Sequence, residues 1–133
     1  MTAVPIRTEP DRYPAIGISQ GFRVGDVVYI SGQVGTDDAG AIVAPDFATQ
    51  AHQVFRNLDR ALRAGGSDLA LVFKVTVYVT NIADHFETIV ALRRHYFSEP
   101  YPADTLVEVR ALARPGLLIE IEAMATVIAS STA

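Results

Sequence analysis

The stretch Tyr101–Thr126, YPADTLVEVRALARPGLLIEIEAMAT, decides the fold. It reads as two alternating runs folded about an Arg114-Pro115-Gly116 turn. In the first run Thr105, Val107, Val109 and Ala111 point one way, and Asp104, Leu106, Glu108, Arg110 and Leu112 the other. In the second, Ile119, Ile121, Ala123, Ala125 and Val127 share a face opposite Leu118, Glu120, Glu122, Met124 and Thr126. Alternation with a period of two marks a strand with one face in a core. The other face mixes carboxylates with Leu and Met, where a plain solvent face is more uniformly polar. The mixture predicts a surface partly covered by a second chain, with a pocket in it.

Upstream of this stretch, Leu69 to Thr80 predicts a strand, with Phe73, Val75, Val77 and Val79 alternating against Lys74, Thr76, Tyr78 and Thr80. Between the two lies a predicted helix, roughly Ala83 to Phe97, with Phe86, Ile89, Val90, Arg93 and Tyr96 or Phe97 along one stripe. Pro100 and Pro102 stop it. Before that, Asp46 can cap a helix running to about Ala64, with Phe47, Ala51, Val54, Phe55, Leu58, Ala61 and Leu62 on one face and Gly65-Gly66 as its end. Ile18 to Val24 and Val27 to Val34 read as strands joined by a Gly25-Asp26 hairpin turn. Gly35 to Pro45 reads as a loop; its Asp37, Asp38 and Gly40 lack the ligand pattern of an EF-hand. Residues 1–15 read as an N-terminal arm, broken by Pro5, Pro10 and Pro14, ahead of a single domain over 16–133. The order β-β-α-β-α-β-β, with two helices on one face of a mixed sheet, is an α+β architecture.

The bulk numbers fit one domain: 133 residues, half of them hydrophobic. So much apolar content in so small a chain predicts a buried subunit interface. No apolar run approaches a membrane span, and the N-terminus lacks the apolar core of a signal peptide. There is no cysteine, hence no disulfide framework or thiolate metal site. The expectation is a cytoplasmic protein without a membrane partner. The net charge of −4, with Arg and Lys scattered, speaks against a nucleic-acid partner.

Motifs for chemistry are scarce. His52, His85 and His95 form no i,i+4 pair and no HExxH, so no metal site is expected. GxSxG, phosphate-loop and GxGxxG patterns are absent. Ser31 has no histidine placed by sequence to activate it, and Gly32 reads as a tightly packed strand end. The carboxylates remain. Glu120 and Glu122 lie on one strand face, roughly 7 Å apart. One reading is a cross-strand salt-bridge ladder of Glu122, Glu108 and Arg110. The other is a pocket glutamate that holds or activates a water.

Three separated motifs, FRVGDVVYISGQVG, QAHQVFRNLDRALRAGGSDLALVFKVTVYVTN and PADTLVEVRAL with IEIEAMA, resemble in order and spacing the RidA family, also called YjgF or UK114. The similarity runs from about Tyr13 to Ala129. It implies a chorismate-mutase-like fold, a homotrimer whose sheets form a central barrel, and a small-molecule cleft at each subunit interface. The implied chemistry is hydrolysis of 2-imino or enamine acids to 2-oxo acids and ammonia, with no metal or organic cofactor. Carried over by resemblance, the water-orienting glutamate is Glu120, and Ala103 to Thr105 form the cleft wall. Ser19 and Gln20 match the family's YSQ motif, but its tyrosine falls on Ile18. The family's asparagine on the second helix falls on Val90. The arginine that grips the substrate carboxylate falls on Asp104.

Asp104 is the informative departure. A cation facing a carboxylate at ~4 Å contributes about 4 kcal/mol at an effective dielectric near 20. An aspartate there removes that attraction and adds repulsion. Two expectations follow: a ligand that is neutral or cationic near Asp104, or an Asp104 paired with an arginine of its own or a neighbouring chain. The function expected is a divergent hydrolase of an imine, enamine or related C–N bond, bound outside the usual 2-imino-acid pose. Its candidate site is Glu120, with Asp104, Ile18, Ser19, Val90, Ala103 and Thr105 as substrate contacts. A non-catalytic small-molecule-binding trimer is the alternative, and a ribonuclease is the least expected of the three.

Overall fold

The computed structural model describes residues 1–129. The end of the domain expected from sequence, 130–133, lies outside the described residues. Six strands form one mixed sheet: β1 (Ala3–Ile6), β2 (Gly21–Val24), β3 (Val27–Val34), β4 (Val72–Val79), β5 (Ala103–Glu108) and β6 (Ile119–Thr126). Their spatial order is β1-β2-β3-β6-β4-β5. Two helices, α1 (Phe47–Ala64) and α2 (Ile82–Tyr96), accompany the sheet. The α+β architecture is the one expected, with one strand more than the sequence indicated.

That strand corrects the reading of the first residues. Ala3–Ile6 pairs antiparallel with β2, setting Pro5 opposite Phe22. Pro5 does not break the element, because β1 is an edge strand and a missing N–H there costs no ladder bond. The β2–β3 hairpin turns at Gly25, whose φ of 60° opens a two-residue turn that a side chain disfavours.

α1 follows its sequence closely. Asp46 accepts a hydrogen bond from the Thr49 N–H at 2.9 Å, satisfying one of the unpaired donors of the first turn. At the far end the Gly66 N–H reaches the Arg63 carbonyl, and the Ser67 N–H the Leu62 carbonyl. Gly66, at φ 85°, supplies the left-handed residue this cap needs. Phe47, Ala51, Val54, Phe55, Leu58, Ala61 and Leu62 are all buried against Val28, Ile30, Ile121 and Ala123 of the sheet.

The Tyr101–Thr126 stretch departs from the hairpin expected of it. β5 runs parallel to β4, as the second strand of a β4–α2–β5 crossover. β6 instead inserts antiparallel between β3 and β4. Alternation fixes which residues share a face but not which strand lies alongside. The salt-bridge ladder therefore does not form. Glu108 accepts from the Ile82 N–H at the start of α2, and Glu122 from the Tyr78 hydroxyl. The faces of the first run are also reversed. Asp104 pairs with Val75 and Leu106 with Val77, both buried on the helix-covered side, whereas Thr105 pairs with Thr76 on the open side.

Two further differences matter for the site. A bulge between Val72 and Lys74 shifts the phase of β4, so Val72 is buried and Phe73 is exposed. The predicted residues Leu69 to Leu71 form a short 3-10 turn instead of strand. On α2 the core contacts are Ile89 and Leu92, while Phe86 is exposed. The stripe read from sequence is rotated away from the core by part of a turn.

Candidate functional site

The open face of the sheet carries Tyr29, Thr76, Tyr78, Glu120, Glu122 and Met124, set side by side through Tyr29–Met124, Thr76–Glu122 and Tyr78–Glu120 pairs. Tyr78 donates to Glu122 at 3.1 Å. Glu120 lies instead against the bulge of β3 between Ile30 and Gln33, where a Cβ at Gly32 would run into its carboxylate; Gly32 is thus inside the strand and not at its end as the sequence suggested. Gly32 is needed for this close approach. Burial pushes the Glu120 carboxyl above its ordinary pKa, and the Glu122 charge pushes it further.

Around Gly32 the backbone is tied down on several sides. The Tyr13 hydroxyl donates to the Gly32 carbonyl. Ser31 donates through its hydroxyl to the Ser19 carbonyl at 2.6 Å and through its N–H to the Gln20 carbonyl at 2.8 Å. Gln33 donates to the buried Gln20 side chain at 3.0 Å and to the Ser31 carbonyl at 3.0 Å. The Tyr13 phenol is pushed up to about 12, first by burial and then by the charges of Glu120 and Asp11. It remains a protonated donor at neutral pH. The structure thus brings Ser19 to Ser31–Gly32, the bulge of β3 on which Glu120 rests. The neighbouring Ile18 is exposed. Tyr13 was not singled out from sequence; a phenol five residues ahead of the YSQ-like segment was the only signal.

Asp104 and Val90 belong to a separate pocket of about 470 Å³ beside α2, within the range of small-molecule sites. Phe86, Phe97, Tyr101, Pro102 and Leu106 give it apolar walls, and Arg93 and Arg94 give it cations. Arg93 grips Asp104 bidentately, Nε to Oδ2 at 2.9 Å and Nη2 to Oδ1 at 2.7 Å. Both side chains are largely covered, 26% and 19% exposed. Of the two expectations for Asp104, pairing within its own chain is the arrangement found. Ala103 lies opposite Lys74, and Thr105 accepts from Lys74 Nζ at 2.8 Å, both on the open side of β5.

The expected site residues therefore fall into two groups, and one chain does not unite them. Glu120, Ala103 and Thr105 are on the open face, and Ser19 is beside Ser31; Asp104 and Val90 are on the helix-covered face, where Arg93, not among the expected residues, joins them. Among the described residues no three of His, Asp and Glu converge as metal ligands, and no helix is long and apolar enough to cross a membrane.

Comparison with known proteins fits this geometry. Residues 9–127 match the family model described as endoribonuclease L-PSP. The human 2-iminobutanoate/2-iminopropanoate deaminase is 40% identical over 113 residues, covering 84% of this chain and 81% of that protein. The RutC family protein y4sK of Sinorhizobium fredii is 40% identical over 122 residues, covering 90% and 94%. Among solved structures, RidA from the Antarctic bacterium Psychrobacter sp. PAMC 21119 superposes with a TM-score of 0.78 at 37% identity, covering 84% of this chain and 89% of that one. The yeast protein YEO7 superposes at 0.87 and 30% identity, covering 96% and 100%. The chain belongs to the RidA (YjgF) family.

Proposed function

We propose that this protein is a divergent RidA-like hydrolase of an imine, enamine or related C–N bond in a small metabolic intermediate. It acts as a homotrimer at the interface between copies and binds substrate outside the usual 2-imino-acid pose. The observation that carries this reading is Glu120: a carboxyl with raised pKa, held against Gly32 and free of any ion pair among the described residues. Such a group suits general base and acid work near neutral pH. It accepts a proton from a water as that water adds to the C=N carbon. It returns that proton to nitrogen to complete the carbinolamine, then takes the carbinol hydroxyl proton and passes it to the amine as the C–N bond breaks, so that ammonia and the carbonyl product leave. No cofactor is needed for that balance.

The separation of the two groups within one chain supports assembly into a trimer. Tyr29, Met124 and Phe73 are exposed large apolar residues, the first two on the open face, and a neighbour covering them would remove that surface from water. A neighbour is also what can bring an α2–β5 pocket to a Glu120. RNA cleavage is not proposed, because the open face presents carboxylates and the net charge is −4.

A non-catalytic small-molecule-binding trimer is the second reading. It is favoured by the position that carries the gripping arginine in the family, which here holds Asp104 closed on Arg93. A coupled assay separates the two. An amino-acid oxidase generates 2-iminopropanoate in the presence of semicarbazide, and added protein competes with semicarbazone formation. Hydrolysis predicts a lowered semicarbazone yield with the wild-type chain and none of that lowering with Glu120→Ala. An equal yield with and without wild-type protein supports the binding reading.

A further inference from the structure

We infer that Arg93 is the carboxylate-gripping group of this site, delivered from α2 instead of β5 and held in place by Asp104. This rests on the reading of the α2–β5 pocket as part of the small-molecule site, and names the ligand class: a small acid with an apolar side chain.

The guanidinium of Arg93 uses Nε–H and one Nη2–H on Asp104. Its second Nη2–H and both Nη1–H groups make no hydrogen bond among the described residues, and Arg93 lines the pocket of about 470 Å³. A guanidinium carries five donors in a rigid fork, so one edge can be fixed by a structural carboxylate while another receives a ligand carboxylate. Fixing it beforehand lowers the side-chain entropy lost on binding. A mobile arginine lacks that advantage.

Charge decides the sign of the ligand. An unpaired Asp104 favours a neutral or cationic ligand, which was one of the two expectations from sequence. With Arg93 closed on it, the pocket presents two guanidinium groups, Arg93 and Arg94, against one carboxylate, Asp104. The balance is positive and attracts an anion. The walls of Phe86, Val90, Phe97 and Leu106 suit an apolar ligand side chain. A short aliphatic 2-oxo or 2-imino acid has both features. Val90 lies three residues before Arg93, on the same side of the helix, so the family's asparagine position becomes part of the apolar wall.

The test is equilibrium binding, which does not require turnover. Calorimetric titration with 2-oxobutanoate and with its uncharged analogue 2-oxobutanamide is run on the assembled wild-type protein, on Arg93→Met and on the double variant Arg93→Met/Asp104→Asn, which removes both charges of the pair. The expected result is binding of the acid at least about tenfold tighter than the amide, with that preference lost in both variants. A merely structural ion pair, removed whole, leaves the acid preference as it was. Equal affinity of the wild type for acid and amide, or a preference kept in the double variant, overturns the inference. Selective acid binding by a protein that fails the semicarbazide assay leaves the Arg93 assignment standing and removes the hydrolase reading, so the two failures are distinct.

Discussion

The Tyr78 hydroxyl donates to Glu122 across 3.1 Å, so one of the two carboxylates on the open side of β6 is partnered while the other, Glu120, rests against Gly32. Identical side chains two residues apart are thereby given different tasks. Glu122 is held by its neighbour on β4, and its charge in turn keeps Glu120 reluctant to ionise.

That relationship predicts the effect of Glu122→Gln. Burial is the larger cause of the raised Glu120 pKa and the Glu122 charge the smaller. Removing the charge is expected to lower the Glu120 midpoint while leaving it above the ordinary carboxylate value. A carbon-detected NMR titration of the Glu120 side chain reads this directly. An unmoved midpoint would show that the two groups do not feel each other.

The same shift fixes the sign of a stability effect. A carboxyl whose pKa is raised by folding holds its proton more tightly folded than unfolded. Its favourable contribution is complete below the unfolded pKa and is lost as pH rises through the folded one. Above that folded pKa the ionised Glu120 therefore works against the fold. Glu120→Gln is expected to melt higher than wild type at neutral pH, with the advantage vanishing as pH falls below about 4. Thermal melts across pH check the direction; a lower melting temperature at neutral pH contradicts it.

Gly32→Ala tests the close approach. The new Cβ meets the Glu120 side chain at Cγ, Cδ and the carboxylate, so the whole side chain must rotate away; no backbone atom lies as close, and the fold is expected to tolerate it. The carboxylate is then displaced from its working position, and an ångström-scale misplacement costs catalysis roughly 100-fold. Steady-state kinetics beside a thermal melt should show kcat falling by about that factor while the melting temperature barely moves.

Gln50 holds the approach to β6. Its side chain is fully buried and donates to the Ala44 and Gly116 carbonyls at 2.9 and 2.8 Å, while accepting from the Leu118 N–H at 2.9 Å. Gln50→Leu strands these backbone groups, each at a cost of about 1–3 kcal/mol. A loss of about 3 kcal/mol or more is expected in a denaturant titration. A loss below about 1 kcal/mol would mean that water replaces the amide.

α1 was legible because cap, periodicity and glycine end agree locally, from Asp46 through Leu62 to Gly66. The faces of β6 were legible for the same reason. The neighbours of β5 were not, because strand pairing is a long-range property that alternation at Thr105 and Val107 does not encode. The α2 stripe mixed two tasks: Ile89 faces the core, while Phe86, Val90 and Arg93 line the pocket, and the two sets lie side by side on the helix. Glu120 could be placed from the family resemblance. Arg93 could not, since its role depends on Asp104 reaching it across 11 positions of sequence.

The central claim is that Glu120 of one copy works with the α2–β5 pocket of another. Subunit mixing tests it. Glu120→Ala and Val90→Trp, the latter filling the pocket, are each expected to be inactive alone. When the two are unfolded together and refolded at equal amounts, about three quarters of the trimers are mixed, each with one site of three that combines an intact Glu120 with an intact pocket, so about a quarter of all sites are intact. The account predicts recovery of about a quarter of wild-type imine hydrolysis on that statistical basis. If mixing recovers no activity although mixed trimers form, Glu120 and the pocket do not meet across the interface and the claim fails.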